Sequence, residues 1–361
     1  MRVVHLLGSA VSTYYEGLSR TYAVACVEST SELTHIFCVV HPATSEKGVT
    51  MSFPVLLSEE AERVGMGEGL KRLAELGADV CVPHMFCWPG MTSFRGALEA
   101  MNLPFVGCPS STMAMSTNKM QTKAVVSAVG VKVPKAEIFY REKMNEARVS
   151  FFPCVVKPCC EDNSMGVSVV REASELAKAL EHAFSCDDVV LCEEFVPLGR
   201  ELRFGLVEVE DQDGSVRLKG LPCLEYFLSV DHPIRLPNDK VLADDKGKVK
   251  ALATGGRQCP ADVDDALYAK LFEAAALSHK ALGCRDYSLY DFRVSPDGDV
   301  FLLEACLYCS FSPKSVIVSM ANADNDKTLH HPNLFKTLLA RSCNTNDNNS
   351  SSAQLFGMKK K

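Results

Sequence analysis

The sequence predicts a mixed α/β fold with more than one sheet, and three observations carry that prediction. Residues 1–112 alternate between short apolar strands and helices, which is typical of a parallel sheet with helical crossovers. Residues 154–195 read as strand, strand, helix and strand, which makes a small sheet with one helix behind it. Residues 291–305 hold two apolar strands joined by a Ser-Pro-Asp-Gly-Asp turn, which indicates a hairpin.

Composition excludes several classes of protein. The chain has 361 residues, of which 47% are hydrophobic and 23% charged, as in an ordinary globular protein with two or three domains. Its net charge of -7, with no basic stripe before the final Lys-Lys-Lys, argues against a nucleic-acid partner. No apolar run approaches the roughly 20 residues that a membrane helix needs. We therefore expect a cytoplasmic protein with small-molecule partners and no membrane association.

The 16 cysteines are scattered through predicted strands and helices, so we expect reduced and mostly buried thiols. Zinc is an alternative at Cys159-Cys160 or at the pair Cys306 and Cys309. A structural zinc site needs a second pair of ligands at a defined spacing, and the sequence lacks one.

The N-terminal elements follow from apolar runs bounded by turn residues. Gly8-Ser9 after the first strand could begin a phosphate-binding turn, but no G-x-G-x-x-G follows, so an NAD-dependent oxidoreductase is a weak alternative. The predicted strands are Val3–Leu7, Ile36–Val40, Val80–Pro83 and Phe105–Val106, and the predicted helices are Gly17–Val27, Ser58–Leu76 and Thr92–Met101.

A helix with Thr117 or Ser116 as its N-cap is predicted to end at Gly130 and to lead into a compact unit. The unit begins with a buried strand that ends in Lys157, and a loop of small polar residues follows. A lysine at a strand end beside such a loop suggests a phosphate site, with a surface lysine before a turn as the alternative. The unit comprises strand Cys154–Pro158, loop Cys159–Gly166, strand Val167–Val170, helix Ala173–Phe184 and strand Val189–Phe195.

The last third supplies the acidic residues. Asp291 and Glu304 lie on the two strands of the predicted hairpin, where both can face one hard cation such as magnesium, although two acids on solvated strands are the alternative. The long polar segment Val230–Gly256 is expected to be a closing lid that brings Lys246, Lys248 or Lys250 to a γ-phosphate. The other predicted elements are strands Leu202–Val209 and Arg217–Leu221 and helix Ala261–Leu282.

These residues, in this order, resemble the D-alanine:D-alanine ligase family of the ATP-grasp superfamily, as a divergent member. The resemblance covers residues 84–321. The motifs that carry it are Thr117–Lys123, Phe152–Pro158, Leu191–Phe195 with Gly199-Arg200-Glu201, and Leu282-Gly283-Cys284 with Asp291 and Leu302-Leu303-Glu304.

The resemblance implies an ATP-grasp fold with an N-terminal Rossmann-like domain. We expect that domain at residues 1–115, a central ATP-grasp subdomain at 116–205, a C-terminal subdomain at 206–343 and a disordered tail at 344–361. A homodimer is common in the family.

The resemblance also implies an ATP-dependent carboxylate-amine ligase that forms a C–N bond through an acyl phosphate. Its cofactors would be ATP and Mg2+, with Mn2+ as a substitute, and its substrates amino acids. The implied phosphate ligands are Lys119, Lys157, Ser164 and Gly166; the adenine contacts are Glu193, Glu194, Phe195, Val196 and Leu303; the ribose contact is Glu201; the metal ligands are Asp291, Glu304 and Cys306; the catalytic or substrate-binding residues are Ser164, Ser315 and Glu16.

Four departures from the family pattern lie on the amino-acid side of the site. Cys306 replaces an asparagine, so a hard oxygen ligand becomes a soft thiol. Leu289 replaces an arginine that stabilises negative charge at the reacting centre. The stretches Asp162-Asn163-Ser164 and Tyr308-Cys309-Ser310-Phe311 differ as well. The alternative function is therefore an ATP-binding protein with reduced or lost ligase activity.

Overall fold

Three sheets, each with helices packed against it, follow one another along the chain. The computed structural model describes residues 1–236, 239, 241–243, 249–252 and 256–352, with the backbone alone for 241–243, 249–252 and 345–352. The expected lid lysines Lys246 and Lys248 lie outside the described residues, as does the side chain of Lys250.

The first sheet has the strand order β4-β3-β2-β1-β5. Strand β1 pairs in parallel with β2 and β5, which confirms the predicted parallel core, whereas β3 and β4 add an antiparallel edge that the sequence did not indicate. The elements are β1 (Arg2–Gly8), α1 (Thr13–Glu28), β2 (Thr34–His41), β3 (Thr50–Ser52), β4 (Val64–Gly65), α2 (Met66–Glu75), β5 (Val80–Pro83), α3 (Trp88–Met91) and α4 (Ser93–Ala100).

Two local predictions for this region, a helix start and a strand, were wrong. The helix expected from Ser58 begins only at Met66, because residues 58–63 are polar apart from Ala61 and offer no apolar stripe to bury. Phe105 makes one isolated bridge to Cys81 instead of a strand. Gly8 has a φ of 100° and packs on β2, where a Cβ would lie 2.0 Å from the Val40 carbonyl oxygen, so close packing of the chain accounts for this glycine.

The second sheet is antiparallel with the order β6-β9-β7-β8, and helix α7 packs against it. Its edge strand β6 was not predicted. The N-cap of α6 is Asn118, whose Oδ1 accepts from the Gln121 N–H at 2.9 Å, because Ser116 instead closes the preceding helix α5. The elements are α5 (Ser110–Ser116), α6 (Lys119–Ala128), β6 (Ala136–Tyr140), β7 (Cys154–Pro158), β8 (Ser168–Val170), α7 (Ala173–Phe184) and β9 (Val189–Glu194).

The third sheet follows the order β15-β12-β10-β16-β17, and β11 also pairs with β10. The predicted hairpin is confirmed, since Asp291 on β16 stands opposite Glu304 on β17. All eight residues of β16 are buried. The strands are β10 (Arg200–Glu210), β11 (Val216–Gly220), β12 (Leu224–Tyr226), β15 (Arg257–Gln258), β16 (Tyr287–Val294) and β17 (Val300–Cys306), and β13 (Val241–Ala243) pairs with β14 (Val249–Leu252) in a separate ribbon.

Three helices complete this part, namely α8 (Asp265–Ala281), α9 (Val316–Asn322) and α10 (Asn333–Ser352). Helix α8 starts later than expected because Asp264 caps it, accepting from the Leu267 N–H at 2.7 Å. Helix α10 was not predicted. It runs through the first half of the stretch expected to be disordered, since extending a helix anchored by buried Leu334 and Phe335 costs less than starting one.

A buried ion cluster joins the N-terminal sheet, the third sheet and α10. The Asp286 carboxylate accepts from the Gly107 N–H at 2.7 Å, and Glu208 accepts from the Asp286 N–H at 2.8 Å and from Arg341 Nε at 3.1 Å. Burial by itself raises the pKa of Glu208, but hydrogen bonds from His279 and the Asp286 N–H and the charge of Arg341 lower this pKa to about 2. The ionised form of Glu208 therefore stabilises the fold.

We predict that Glu208→Gln lowers the free energy of unfolding by on the order of 3 kcal/mol, because the buried Arg341 guanidinium loses one of its two charged partners and keeps Asp286, at 3.5 Å. Because the folded pKa is depressed, the contribution is complete above pH 4.5 and disappears as the pH falls toward 2. Urea denaturation at several pH values measures both effects.

The matched control is Asp211→Asn, which removes the exposed ion pair between Asp211 and Arg217 and should cost less than about 1 kcal/mol. Equal losses for the two variants, or a gap between wild type and Glu208→Gln that persists at low pH, would contradict the role given to the cluster.

Candidate active site

A cleft of about 830 Å³, counting its open mouth, lies between the second and third sheets. Eleven of the residues implied by the family resemblance line it together: Lys119, Lys157, Ser164, Glu193, Glu194, Phe195, Val196, Glu201, Asp291, Leu303 and Glu304.

The two predicted phosphate lysines enter the cleft from different elements. Lys119 begins α6, and its Nζ lies 3.1 Å from Glu304 Oε1. Lys157, near the end of β7, has its Nζ 2.7 Å from Glu193 Oε2. Burial tends to lower the pKa of Lys119, but the neighbouring Glu304 and Asp162 carboxylates outweigh it and raise this pKa above its usual value. Lys119 therefore stays charged.

Lys123 is a third buried lysine that the sequence analysis did not assign to the site. It lies one helical turn after Lys119, and this four-residue spacing is the signal that could have identified it. Its Nζ is 3.2 Å from Glu193 Oε1 and donates to the Leu302 carbonyl at 3.2 Å. Burial, opposed by Glu193 and reinforced by the nearby Lys157, lowers the pKa of Lys123 to about 8.

The acids of the third sheet are held by arginines that were also missed. Arg203 donates to Asp291 through Nε at 2.5 Å and Nη2 at 2.6 Å. Arg235 bridges Asp291 at 2.7 Å and Glu201 at 2.8 Å, and Arg293 donates to Glu201 at 2.6 Å. Arg203 and Arg293 lie directly across the β10–β16 ladder from Asp291 and Glu201.

Four cations and seven carboxylates line the cleft. The cations are Lys119, Lys157, Arg235 and Arg293, and the carboxylates are Glu161, Asp162, Glu193, Glu194, Glu201, Asp291 and Glu304. Behind this lining, Lys123 contacts Glu193 and Arg203 contacts Asp291. The cleft therefore combines ammonium and guanidinium groups, which can bind phosphate oxygens, with carboxylates that can hold a divalent ion.

The loop after β7 forms one wall of the cleft. Asn163 and Ser164 have positive φ values of 54° and 60°, a conformation that turns the chain sharply. Ser164 lines the cleft, whereas Gly166 lies behind it, where a Cβ would be 2.7 Å from the Pro158 ring. The loop is thereby held against the end of β7 beside Lys157.

Asp291, Glu304 and Cys306 could hold a metal ion, since one potential ligand atom from each lies within 4.8 Å of the others. The two carboxylates suit a hard divalent ion such as magnesium. The Cys306 thiol does not, because sulfur is soft and because burial raises its pKa well above the usual value and keeps it protonated.

A second cavity of about 710 Å³, again counting its mouth, adjoins the cleft, and Asp162 and Asn163 line both. Ser315 is 3% exposed, and its Oγ has no hydrogen-bond partner among the described residues. The rest of the lining is largely apolar or aromatic: Tyr15, Leu18, Tyr22, Phe86, Leu289, Tyr308 and Val316, together with Arg203, Cys309 and Ser310.

Glu16 is the one expected substrate residue that points elsewhere. Its Oε1 lies 3.1 Å from His41 Nδ1 and 3.4 Å from Arg20, and it lines neither of the two cavities. Its helix neighbours Tyr15 and Leu18 face the second cavity instead.

The cysteines match the expectation of reduced thiols, since all 16 are free and nine of them are buried. In the part of the chain that the structure describes, no helix combines the length and apolar character needed to cross a membrane.

Comparison with known proteins agrees with this architecture. A D-alanine–D-alanine ligase of Geobacter sulfurreducens is 32% identical over 212 residues, and the match covers 58% of this chain and 60% of that enzyme. A D-alanine-D-alanine ligase structure from Coxiella burnetii superposes with a TM-score of 0.73 at 17% identity, over 99% of this chain and 97% of the other. The D-Ala:D-Ser ligase VanG from Enterococcus faecalis gives 0.70 at 20% identity, over 94% and 99%.

These similarities establish an ATP-grasp fold that follows an N-terminal Rossmann-like domain. The sequence model described as D-ala D-ala ligase C-terminus matches residues 125–340, which include both walls of the cleft and most of the residues that line it. The chain belongs to the D-Ala-D-Ala ligase family.

Proposed function

We propose that this chain is an ATP-dependent carboxylate-amine ligase whose nucleotide binds in the cleft between the second and third sheets. The observation that carries the proposal is the convergence of Lys119 and Lys157 with the carboxylates Asp291 and Glu304 on one cleft. The ammonium groups can bind phosphate oxygens, and the carboxylates can hold the divalent ion that accompanies a nucleotide.

The lysines would bind the phosphates of ATP. Lys119 and Lys157 approach the cleft from α6 and β7, and both are ion-paired with carboxylates that hold the ammonium groups in place. A phosphate oxygen can share each ammonium group, because an ammonium has three donors. The loop at Ser164 would close over the phosphates.

The other end of the cleft suits the nucleoside. Phe195 and Val196 offer an apolar wall for the base at the end of β9. Glu201 accepts from Arg293 and Arg235, which hold its carboxylate toward the cleft, where it can accept from ribose hydroxyls. These assignments follow the order of the motifs from Leu191 to Glu201.

Asp291 and Glu304 would hold magnesium, with manganese as a substitute. When bound, the ion neutralises negative charge on the phosphoryl group that is transferred. The side chains themselves orient the phosphates through Lys119 and Lys157, and the loop at Ser164 helps to exclude water.

The second cavity would hold the amino acids, and the wall that it shares with the cleft supports a position for them beside the γ-phosphate of a bound nucleotide. A substrate carboxylate oxygen attacks the γ-phosphorus and the bond to ADP breaks, which yields an acyl phosphate. The amine of a second substrate then attacks the carbonyl carbon, loses a proton and expels phosphate. The unpartnered Ser315 hydroxyl can donate to a substrate carboxylate.

The alternative is an ATP-binding protein with reduced or lost ligase activity. It rests on Leu289, which is 1% exposed and lines the second cavity where the family has an arginine, and on the Cys306 thiol. An assay of phosphate release from ATP in the presence of amino acids separates the two functions.

We predict that the purified chain with ATP, Mg2+ and a panel of D-amino acids, tested singly and in pairs, releases phosphate only with a productive pair. Mass spectrometry should show the matching amide product. Nucleotide binding without phosphate release for any pair would favour the alternative, and a folded chain that binds no nucleotide would contradict both functions.

Lys157→Met is the informative variant for this assay. Loss of a charge-assisted hydrogen bond of about 1.5–3 kcal/mol should weaken ATP binding roughly 10- to 150-fold. The control Lys178→Met removes an exposed lysine of α7 and should leave binding unchanged.

We also predict that ATP affinity falls as the pH rises through 8. Lys123 carries its charge below its pKa of about 8 and loses it above, so the site loses one positive charge beside Glu193 and Lys157. The dissociation constant should rise by up to roughly tenfold per pH unit above that value. Isothermal titration calorimetry between about pH 7 and 9 measures the change.

In Lys123→Met the affinity should be lower at neutral pH and nearly independent of pH over this range. The same slope in this variant as in the wild type would assign the titration to another group and contradict the prediction.

A further inference from the structure

The metal-binding end of the cleft already contains a cation of the protein itself. Arg203 donates to both oxygens of Asp291, at 2.5 and 2.6 Å, and its Nη2 also lies 3.5 Å from Cys306 Sγ. One guanidinium thus contacts two of the three side chains that could hold a metal ion there.

Arg203 is fixed in this position by the sheet. It belongs to β10, which pairs with β11, β12 and β16, and the β10–β16 register sets it directly opposite Asp291. The guanidinium lies 5.8 Å from the centre of the Tyr226 ring, and only 13% of the side chain is exposed. Removing it from Asp291 would leave a charge unpaired in a largely buried place.

Arg235, the other arginine on Asp291, is held differently. It comes from the irregular chain after β12 and stacks on Tyr226 at 3.8 Å from the ring centre. No strand fixes its backbone. A divalent ion that binds Asp291 can therefore take the position of Arg235 while Arg203 stays in place.

The remaining metal-ligand atoms suffice for one hard ion but not for two. Glu304 and one oxygen of Asp291 are hard oxygen ligands, whereas Cys306 offers sulfur, which suits softer metals than magnesium. A second hard ion between Asp291 and Cys306 would have to occupy the place of the Arg203 guanidinium.

Arg203 also lies at the proposed substrate cavity. It lines this second cavity beside Leu289 and Ser315, while its Nε and Nη2 hold Asp291, which lines the cleft. A guanidinium has five N–H donors, so donors remain for a phosphoryl or carboxylate oxygen in that cavity.

We infer that Arg203 is a built-in cation that takes the place of a second divalent ion, so that this site binds its nucleotide with a single divalent ion. The inference rests on the proposed nucleotide site. Arg203, on strand β10, then neutralises negative charge where the two cavities meet. Neither Leu289 nor Cys306 can provide this neutralisation.

The test counts Mn2+ bound to the full chain with a saturating non-hydrolysable ATP analogue, by electron paramagnetic resonance and equilibrium dialysis, with nucleotide binding measured on the same samples. We expect one Mn2+ for each bound nucleotide. Two Mn2+ would overturn the inference and leave the nucleotide site standing, whereas a folded chain without bound nucleotide would overturn both.

Two variants separate the arginine from the thiol. Cys306→Asn restores an oxygen ligand but keeps Arg203, so it should still bind one Mn2+; two ions in this variant would show that Arg203 does not block the second position. Arg203→Met combined with Cys306→Asn should bind two, and one ion in the folded double variant would also contradict the inference. If the double variant does not fold, the wild type and Cys306→Asn decide.

Discussion

The pairing of β10 with β16 is the constraint on which the site depends. The antiparallel register sets Glu201 opposite Arg293 and Arg203 opposite Asp291, so two successive positions on one face each bring a cation against a carboxylate. A slip of β16 by one residue against β10 would move Asp291 and Arg293 to the opposite face of the sheet, away from Arg203 and Glu201. Because β16 is buried along its whole length, such a slip would also bury charges without partners.

The second sheet and helix α6 supply the other ion pairs around the cleft. Lys157 and Lys123 share Glu193, and Lys119 reaches across to Glu304 on β17, so ion pairs tie the two sheets together over the cleft. Each of these carboxylates holds a lysine in place at the cleft. The ammonium groups can bind phosphate oxygens, which supports the proposed assignment of the cleft to a nucleotide.

Much of this could be predicted from sequence. A hairpin with acids on both strands and a lysine at the end of a buried strand are local patterns, and the ordered motifs from Thr117 to Glu304 indicated the family. The signal was weaker for Arg203, Arg293 and Lys123, because their roles depend on strand register and on the packing of α6 against the hairpin.

Other features had no local signal. Arg235 lies in an irregular segment, and its position depends on stacking against Tyr226. Glu16 fits a loose acidic motif, yet in the structure it faces His41 because Tyr15 and Leu18 occupy the side of α1 that faces the second cavity. Tertiary packing decides which face of a helix points into a cavity, and sequence periodicity alone does not reveal that face.

The central claim is that the cleft where Lys119, Lys157, Asp291 and Glu304 converge binds a nucleoside triphosphate. The most direct measurement is a crystal structure of the chain with Mg2+ and a non-hydrolysable ATP analogue. The account predicts the phosphates between Lys119 and Lys157, with the base against Phe195 and Val196. An empty cleft in a crystal where the analogue is bound elsewhere on the chain would contradict it.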